Sequence, residues 1–482
     1  MPVVDLPYRD SSGTTGKKHA GGASEGYTRR VCEAFENWQF DDLPDNVVQT
    51  VKLFVLDTLG VIGGAAAAPG IETLNKRLTS WEIDGPSTGL VGKWRASPPT
   101  AALANGAAAH ALDFDDMHDP ARVHAYCVNL PAMLAVAEER AGTSGKDFLT
   151  ALATGVEFHA RMGLACYDSL GRGWHPTMVL GLPSATLGVG RLLGLSGEKL
   201  VNAFGIGCHQ SSGTRQPMFD GDLSKRLGPG FAARSAVLAG YLALDGLTGS
   251  VHALEGEAGY FHMYEGDEAI PDLVFDGLGE QWEILNYSMK PYPCCRCTHN
   301  LIFLGIELRN SGIAVGDIES VDLFLGRTNW LIVGQQPYQA ERDSVVHAQF
   351  NAAYCFARAV VDGKVDLKSF HRPQITDPEV AGLASRVRIL EDATYPPTAM
   401  EPARIKVKLK DGGSITKDRD VMKGSPGDPM SEAEAVDKFC SCLDLGLGVD
   451  QAASRRFADM ILNLEKVSNV SDLVAAFPDR SV

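Results

Sequence analysis

The sequence predicts a mainly α-helical protein with an α+β part: a large all-helical domain joined to a smaller α+β lid domain. Three observations carry that expectation. Apolar residues recur at helical spacing from Tyr27 to about residue 285, in segments rich in Ala, Gly and Leu. Apolar–polar alternation of the strand kind begins only after about Asn286. Helical texture then returns from Ser431 onward. With 482 residues, 45% hydrophobic and 22% charged, the chain is long enough for two domains.

Residues 1–24 are polar and Gly/Ser-rich without periodicity, which reads as a disordered tail. The first part of the helical domain spans 25–285. Leu43-Pro44 opens a long helix, DNVVQTVKLFVLDTLGVIGGA, with Pro at its start. Further helices are expected at about 100–112, 129–141, 145–166, 177–194, 196–206 and 229–246. The lid spans 286–424, with strands in IESVDLFLG (318–326), RVRILED (386–392) and RIKVKLKDGGSITKDRD (404–420). Asp411-Gly412-Gly413 folds the last of these back as a hairpin. Helices at about 297–310, 346–362 and 377–385 lie between the strands. Residues 425–482 form the helical return onto the first domain, which makes the α+β part an insertion over a helical body. No internal repeat is present.

Lys and Arg total 44 against 60 Asp and Glu, a net charge of −16. That surface argues against nucleic acid and anionic membranes as partners. An anionic substrate then needs a local cluster of cations. No run of 18 apolar residues escapes Gly or a charge, so no membrane span is expected. Ten scattered cysteines with no secretory h-region near Met1 fit free thiols in the cytoplasm.

The run HALDFDDMHDPARVH (110–124) brings the carboxylates of Asp113, Asp115 and Asp116 next to the imidazoles of His110, His118 and His124. Small-residue helices flank it on both sides. Titratable groups so placed are costly unless paired, hydrated or used. A site that moves protons and a solvated acidic connection both fit the stretch alone. Gly173-Trp174-His175-Pro176 places His175 at a helix edge, where backbone N–H groups suit an anion and depress an imidazole pKa. A capping or packing role fits equally well. Lys225-Arg226-Leu227-Gly228-Pro229-Gly230 sets two cations beside a turn and a helix start, a place for a carboxylate or a solvated basic turn.

Lys290-Pro-Tyr-Pro-Cys-Cys-Arg-Cys-Thr-His299 lies at the seam between the two textures, and its prolines stiffen the approach of Lys290. The adjacent Cys294 and Cys295 cannot easily both ligate one tetrahedral ion, which disfavours a metal. His299 opens an apolar helix and is either a pocket or a core histidine. Arg215, Tyr354 and His347 are weaker pocket candidates. Walker, Rossmann and GxSxG signatures are absent, so no nucleotide cofactor is expected.

In this order the pieces resemble the MmgE/PrpD family, which includes 2-methylcitrate dehydratases, cis-aconitate decarboxylases and an iminodisuccinate epimerase. They are NGxxxHxLDFDD (105–116), His124 seven residues before Pro131, GWHP (173–176), the Lys225–Gly230 turn, LEGxxGY (254–260) and KPYPCCRxTH (290–299). The resemblance implies a helical body with an α+β lid, a homodimer, and catalysis with no metal and no cofactor. It implies a small-molecule di- or tricarboxylate substrate. By motif position it implies pocket roles for Asp115 or Asp116, His124, His175, Lys225, Lys290, His299 and Tyr354. Three places depart from the family pattern. Gly228-Pro229 stands where a His is frequent, Cys295 where some decarboxylases carry a His, and Ala125-Tyr126 where Pro-Ser is frequent.

The chemistry expected is proton transfer next to a carboxylate. His124 and His175 serve as acid and base near neutral pH. Lys225 and Lys290 bind carboxylates and stabilise an enolate-like state. Asp116 orients a histidine or accepts a proton, and Asp115, Arg215, His299, Tyr354 and Cys295 contact substrate. Dehydration and decarboxylation both fit, an epimerase of an amino- or iminodicarboxylate is the rival, and a non-catalytic carboxylate-binding homologue is the third reading.

Overall fold

The computed structural model describes residues 26–82, 84–166, 172–396 and 398–479. The tail expected at 1–24 lies outside the described residues. The protein is mainly α with an α+β part, and two hydrophobic cores divide it.

The first core is centred on the helix Asp45–Gly64, buried along most of its length. Pro98–His110, Tyr126–Glu139 and Gly145–Ala165 pack on it, and Gly181–Leu192, Gly197–His209 and Gly228–Leu244 pack against those and one another in the same core. Several of these helices bury nearly every face, so small residues set how closely they approach. Gly106 and Gly230 show why: a Cβ on Gly106 would lie 2.7 Å from the Gly230 Cα. That contact draws the end of Pro98–His110 toward the turn that carries Lys225. Asp45–Ala67 and Leu223–Leu244 are long and apolar enough to cross a bilayer, yet 78% and 61% of their apolar windows are buried inside the protein. Both read as core helices.

The body is not purely helical. Ser87–Gly89 and Trp94–Ala96 form an antiparallel hairpin. The Asn105 side chain accepts from Leu90 N–H and donates to the Thr88 carbonyl, pinning that hairpin to a core helix. Three-residue strands are too short to show alternation, so the pattern misses them. Two expected helices are also divided. The segment 177–194 splits into Pro176–Val179 and Gly181–Leu192. The segment 346–362 splits into Val345–Gln349 and Ala352–Asp362, where Asn351 caps the second by accepting from Tyr354 N–H.

The second core lies under a four-stranded mixed sheet, spatial order Val387–Glu391, Ile318–Leu325, Ala403–Leu409, Ser414–Arg419. The first pair is parallel and the other two antiparallel. Leu409 N–H donates to the Gly413 carbonyl across the turn, and Gly412 takes φ 90° there. Val321, Leu323, Ile405 and Val407 share this core with residues of His299–Asn310 and Ala352–Asp362. The helix Glu432–Leu447, capped by Ser431 and Glu434 and followed by Gln451–Leu462 and Val470–Ala476, contributes Phe439 and Leu443 to the first core.

Candidate active site

The loop that follows Pro98–His110 carries the acidic run, and each of its carboxylates has a different job. Asp113 takes a left-handed conformation (φ 52°), which Asp tolerates better than most residues. It meets two lysines from distant segments. Lys225 Nζ donates to Asp113 Oδ1 at 2.7 Å, and Lys290 Nζ donates to the Asp113 carbonyl at 2.9 Å and stands 3.6 Å from Oδ2. Asp115 Oδ2 lies 2.7 Å from His110 Nδ1 and 3.4 Å from His124 Nδ1. Asp116 accepts from the N–H groups of Ala125 (2.8 Å) and Tyr126 (3.1 Å) and fixes the start of the next helix. Its backbone carbonyl accepts from His124 Nδ1. The neutral His124 ring therefore keeps its proton on Nδ1, which makes Nε2 a lone-pair base.

Other segments close on this loop. His175 stands at the N-cap position of the short Pro176–Val179 helix without a capping bond from its ring, and Pro fills the first helical position as the sequence predicts. Its N–H donates to the Gly213 carbonyl (3.0 Å), and Arg215 N–H donates to the Gly173 carbonyl (2.9 Å), so the two segments hold His175 and Arg215 side by side. Lys225 lies in the turn Leu223–Leu227, whose start Asp222 caps. Lys290 follows Tyr287–Ser288, the strand paired with Met117–His118. Between them opens a cavity of about 80 Å³, several times the roughly 10–15 Å³ that one water needs. Asp113, Arg122, His124, His175, Arg215, Lys225, Lys290, Cys295, Arg296 and Cys297 line it, with Met117, Met218, Ile332, Phe350 and Met400 among the apolar remainder.

Burial is the first cause of the histidine shifts. It pushes His124 down to about 3, with Asp115 opposing and Lys290 reinforcing. It takes His175 well below its ordinary value, helped by His110, Lys225, His124 and Arg215. The helix edge that the sequence suggests as the cause is one short turn, and burial among neighbouring cations is the larger influence. Both rings are neutral at pH 7, and His175 Nδ1 is a buried atom with no hydrogen-bond partner among the described residues. Burial also works against charge on Asp113, but Lys225 and then Lys290 overcome it and hold the carboxyl far below its usual range. For Lys290, Asp113 and Asp115 outweigh burial and raise the ammonium. Asp116 moves the other way, driven up by burial and then by the charge of Asp115.

Six residues that the sequence singles out therefore border one cavity: His124, His175, Arg215, Lys225, Lys290 and Cys295. Five others stand away from its lining. Asp115 and Asp116 hold histidine rings and backbone. His299 Nε2 donates to the Cys294 carbonyl (3.2 Å) and Nδ1 accepts from Arg296 (3.4 Å), with the ring edge-on to Tyr292. Tyr354 donates its hydroxyl to the Ser369 carbonyl inside the second core. His347 stacks on Tyr338, also away from the cavity. Sequence reasoning does not single out Asp113, Arg122 or Arg296 as pocket residues. The first two hold positive φ (52° and 57°) in a loop where no periodicity tells which way a side chain points. Their available signal is the motif LDFDD for Asp113 and KPYPCCR for Arg296.

His110, Asp115 and Cys127 offer ligand atoms within 4.8 Å of one another, the one such group among the described residues. Two of the three are already hydrogen-bonded to each other, and Cys127 is a buried thiol held well above its usual range by burial and then by Asp115 and Asp116. A thiol so disfavoured as thiolate is a poor ligand. All ten cysteines are free.

The chain belongs to the MmgE/PrpD family. The family's N-terminal domain matches residues 29–271 and its C-terminal domain matches 292–466. Among curated proteins it is similar to the cis-aconitate decarboxylase of Aspergillus terreus, 29% identical over 475 residues, covering 94% of this chain and 96% of that protein. It is also similar to the human cis-aconitate decarboxylase, 27% identical over 466 residues (92% and 93%), and to the mouse protein at 26%.

Proposed function

We propose that this protein is a metal-independent lyase acting on a small di- or tricarboxylic acid by proton transfer next to a carboxylate. One observation carries the reading: two buried lysines converge on one carboxylate in a cavity that also holds two neutral histidines. The ammonium groups take a substrate carboxylate and the negative charge that builds on it. His124 Nε2 and the unpartnered His175 face the carbon beside it.

In a dehydration, a histidine takes the proton alpha to the carboxylate and the C–H electrons form the new double bond. The hydroxyl leaves from the neighbouring carbon with a proton from the second acid, as water. In a decarboxylation, the C–C bond breaks, carbon dioxide leaves, its bonding electrons remain on an enolate-like carbanion, and a proton taken up from solvent and passed on by a histidine completes the product. Positioned acid–base groups contribute on the order of 10²–10⁴-fold, and the fixed cations of a dry cavity supply further stabilisation. The cis-aconitate decarboxylases among its relatives favour decarboxylation. The homodimer that the family implies belongs to the same proposal.

Proton NMR in D2O of cis-aconitate and 2-methylcitrate with the protein tests this. Lyase action gives new alkene signals or loss of carbon dioxide, whereas an epimerase only exchanges a C–H. His175→Ala is expected to lower turnover by at least about 100-fold. Wild-type turnover in that variant would remove the role assigned to His175. Incubation with EDTA is expected to leave activity intact, and its loss would overturn the metal-free assignment.

A further inference from the structure

The cavity lining holds more positive charge than one carboxylate substrate group explains. Among the described residues five cations border it, Arg122, Arg215, Lys225, Lys290 and Arg296, against one acidic side chain, Asp113. Asp113 serves the two lysines, and Arg296 has Asp119 at 3.4 Å. Arg215 has no acidic partner among the described residues, and its Nε is a buried donor with no hydrogen bond. The Phe219 ring, 5.5 Å from its guanidinium carbon, is the contact it makes instead. Arg122 reaches across from the helical body to Thr328 Oγ1 (3.3 Å) in the α+β part and borders the same space. Burial and then the neighbouring Arg215 charge push the Arg122 guanidinium down, to about 10. Two guanidinium groups that border one cavity are stabilised by an anion between them.

We infer that Arg215 and Arg122 form a second anion site in this cavity, distinct from the lysine pair, that takes a further carboxylate of the substrate. The inference rests on the polycarboxylate reading and narrows it. His175 is tied by backbone hydrogen bonds to the segment that carries Arg215, and it also feels the charge of Lys225. A substrate held by both cation groups presents the carbon between its carboxylates to that ring. Guanidinium groups bind carboxylates with two parallel hydrogen bonds, so Arg215 fixes orientation as well as charge. Acids with a single carboxylate then use the lysine pair alone.

Titration calorimetry of the full chain with three probes tests this: tricarballylate with three carboxylates, butyrate with one, and inorganic phosphate. Arg215→Gln is expected to weaken tricarballylate by about tenfold or more while leaving butyrate within about twofold. Arg215→Lys, which keeps the charge but not the fork, is expected to fall between and decides the matter if the Gln variant does not fold. Lys225→Met is expected to weaken both acids. Unchanged tricarballylate binding in Arg215→Gln, with loss in Lys225→Met, overturns the second site and leaves the proposed function standing. Phosphate binding lost in Arg215→Gln with tricarballylate unchanged shows a free-anion site instead, and also overturns it. Absence of binding of either acid to the wild type removes the polycarboxylate reading, and this inference with it.

Discussion

Asp113 decides the electrostatics of the cavity, because it is the counter-ion of two lysines that burial would otherwise disfavour. Removing one partner of a buried pair leaves an uncompensated charge and costs roughly 3–5 kcal/mol. Asp113→Asn is therefore expected to lower the unfolding free energy measured in urea by an amount of that order. Tricarballylate is expected to restore part of the loss, since its carboxylate replaces the missing one and a ligand that binds only the folded state stabilises it. A variant as stable as wild type would show that the lysines do not depend on this pairing. Much of the rest of the site was legible by residue type: His124, His175, Lys225 and Lys290 stand in separate motifs, and each borders the cavity. Which aspartate of LDFDD faces it was not legible. The choice depends on one left-handed residue, which no periodicity announces.

Between elements, the helix Glu432–Leu447 reaches into the site from behind. Lys438 Nζ donates to the Phe114 carbonyl at 2.8 Å, stands 2.6 Å from Asp57 Oδ1 and lies over the Phe114 ring. Phe114 sits between Asp113, which holds the lysines, and Asp115, which holds two histidines. Lys438 is thus a positioning residue for the acidic loop. Lys438→Met combined with Asp57→Asn avoids a lone buried charge yet still loses the Phe114 contact. This double variant is expected to fold and to lose about tenfold in kcat, since a small misplacement far from the chemistry is costly. The kcat is expected to return toward wild type in Lys438→Arg, and wild-type kcat in the double variant would contradict the positioning role. The helices and strands that meet here were legible from their periodicity. The breaks at Leu180 and at Phe350–Asn351 were not, because both halves of each segment keep one apolar pattern while the backbone turns.

At the scale of the whole molecule, burial of neutral imidazoles ties folding to pH. His110, His124, His159 and His175 are all held below the ordinary histidine value, His124 and His159 at about 3, with burial the first cause in each. The unfolded chain takes these protons near pH 6.5, while the folded chain resists until far lower. Stability is therefore complete above about pH 6.5 and is lost as pH falls toward the folded values. Each such imidazole steepens the loss by up to about 1.4 kcal/mol per pH unit. Asp113, whose carboxyl is held down, adds its own loss only near and below about pH 3.9. Urea midpoints between pH 7.5 and 5 are expected to drop steeply, and His159→Gln, away from the cavity lining, is expected to flatten the slope. An unchanged slope would count against these rings being neutral.

The claim on which the account depends is that a polycarboxylate sits between the lysine pair and the two histidines. A crystal structure with tricarballylate tests it most directly. One carboxylate is expected within hydrogen-bond distance of Lys225 and Lys290, with the adjoining carbon facing His124 Nε2 and His175. Tricarballylate bound elsewhere, with both lysines still engaged by Asp113 alone, would contradict it.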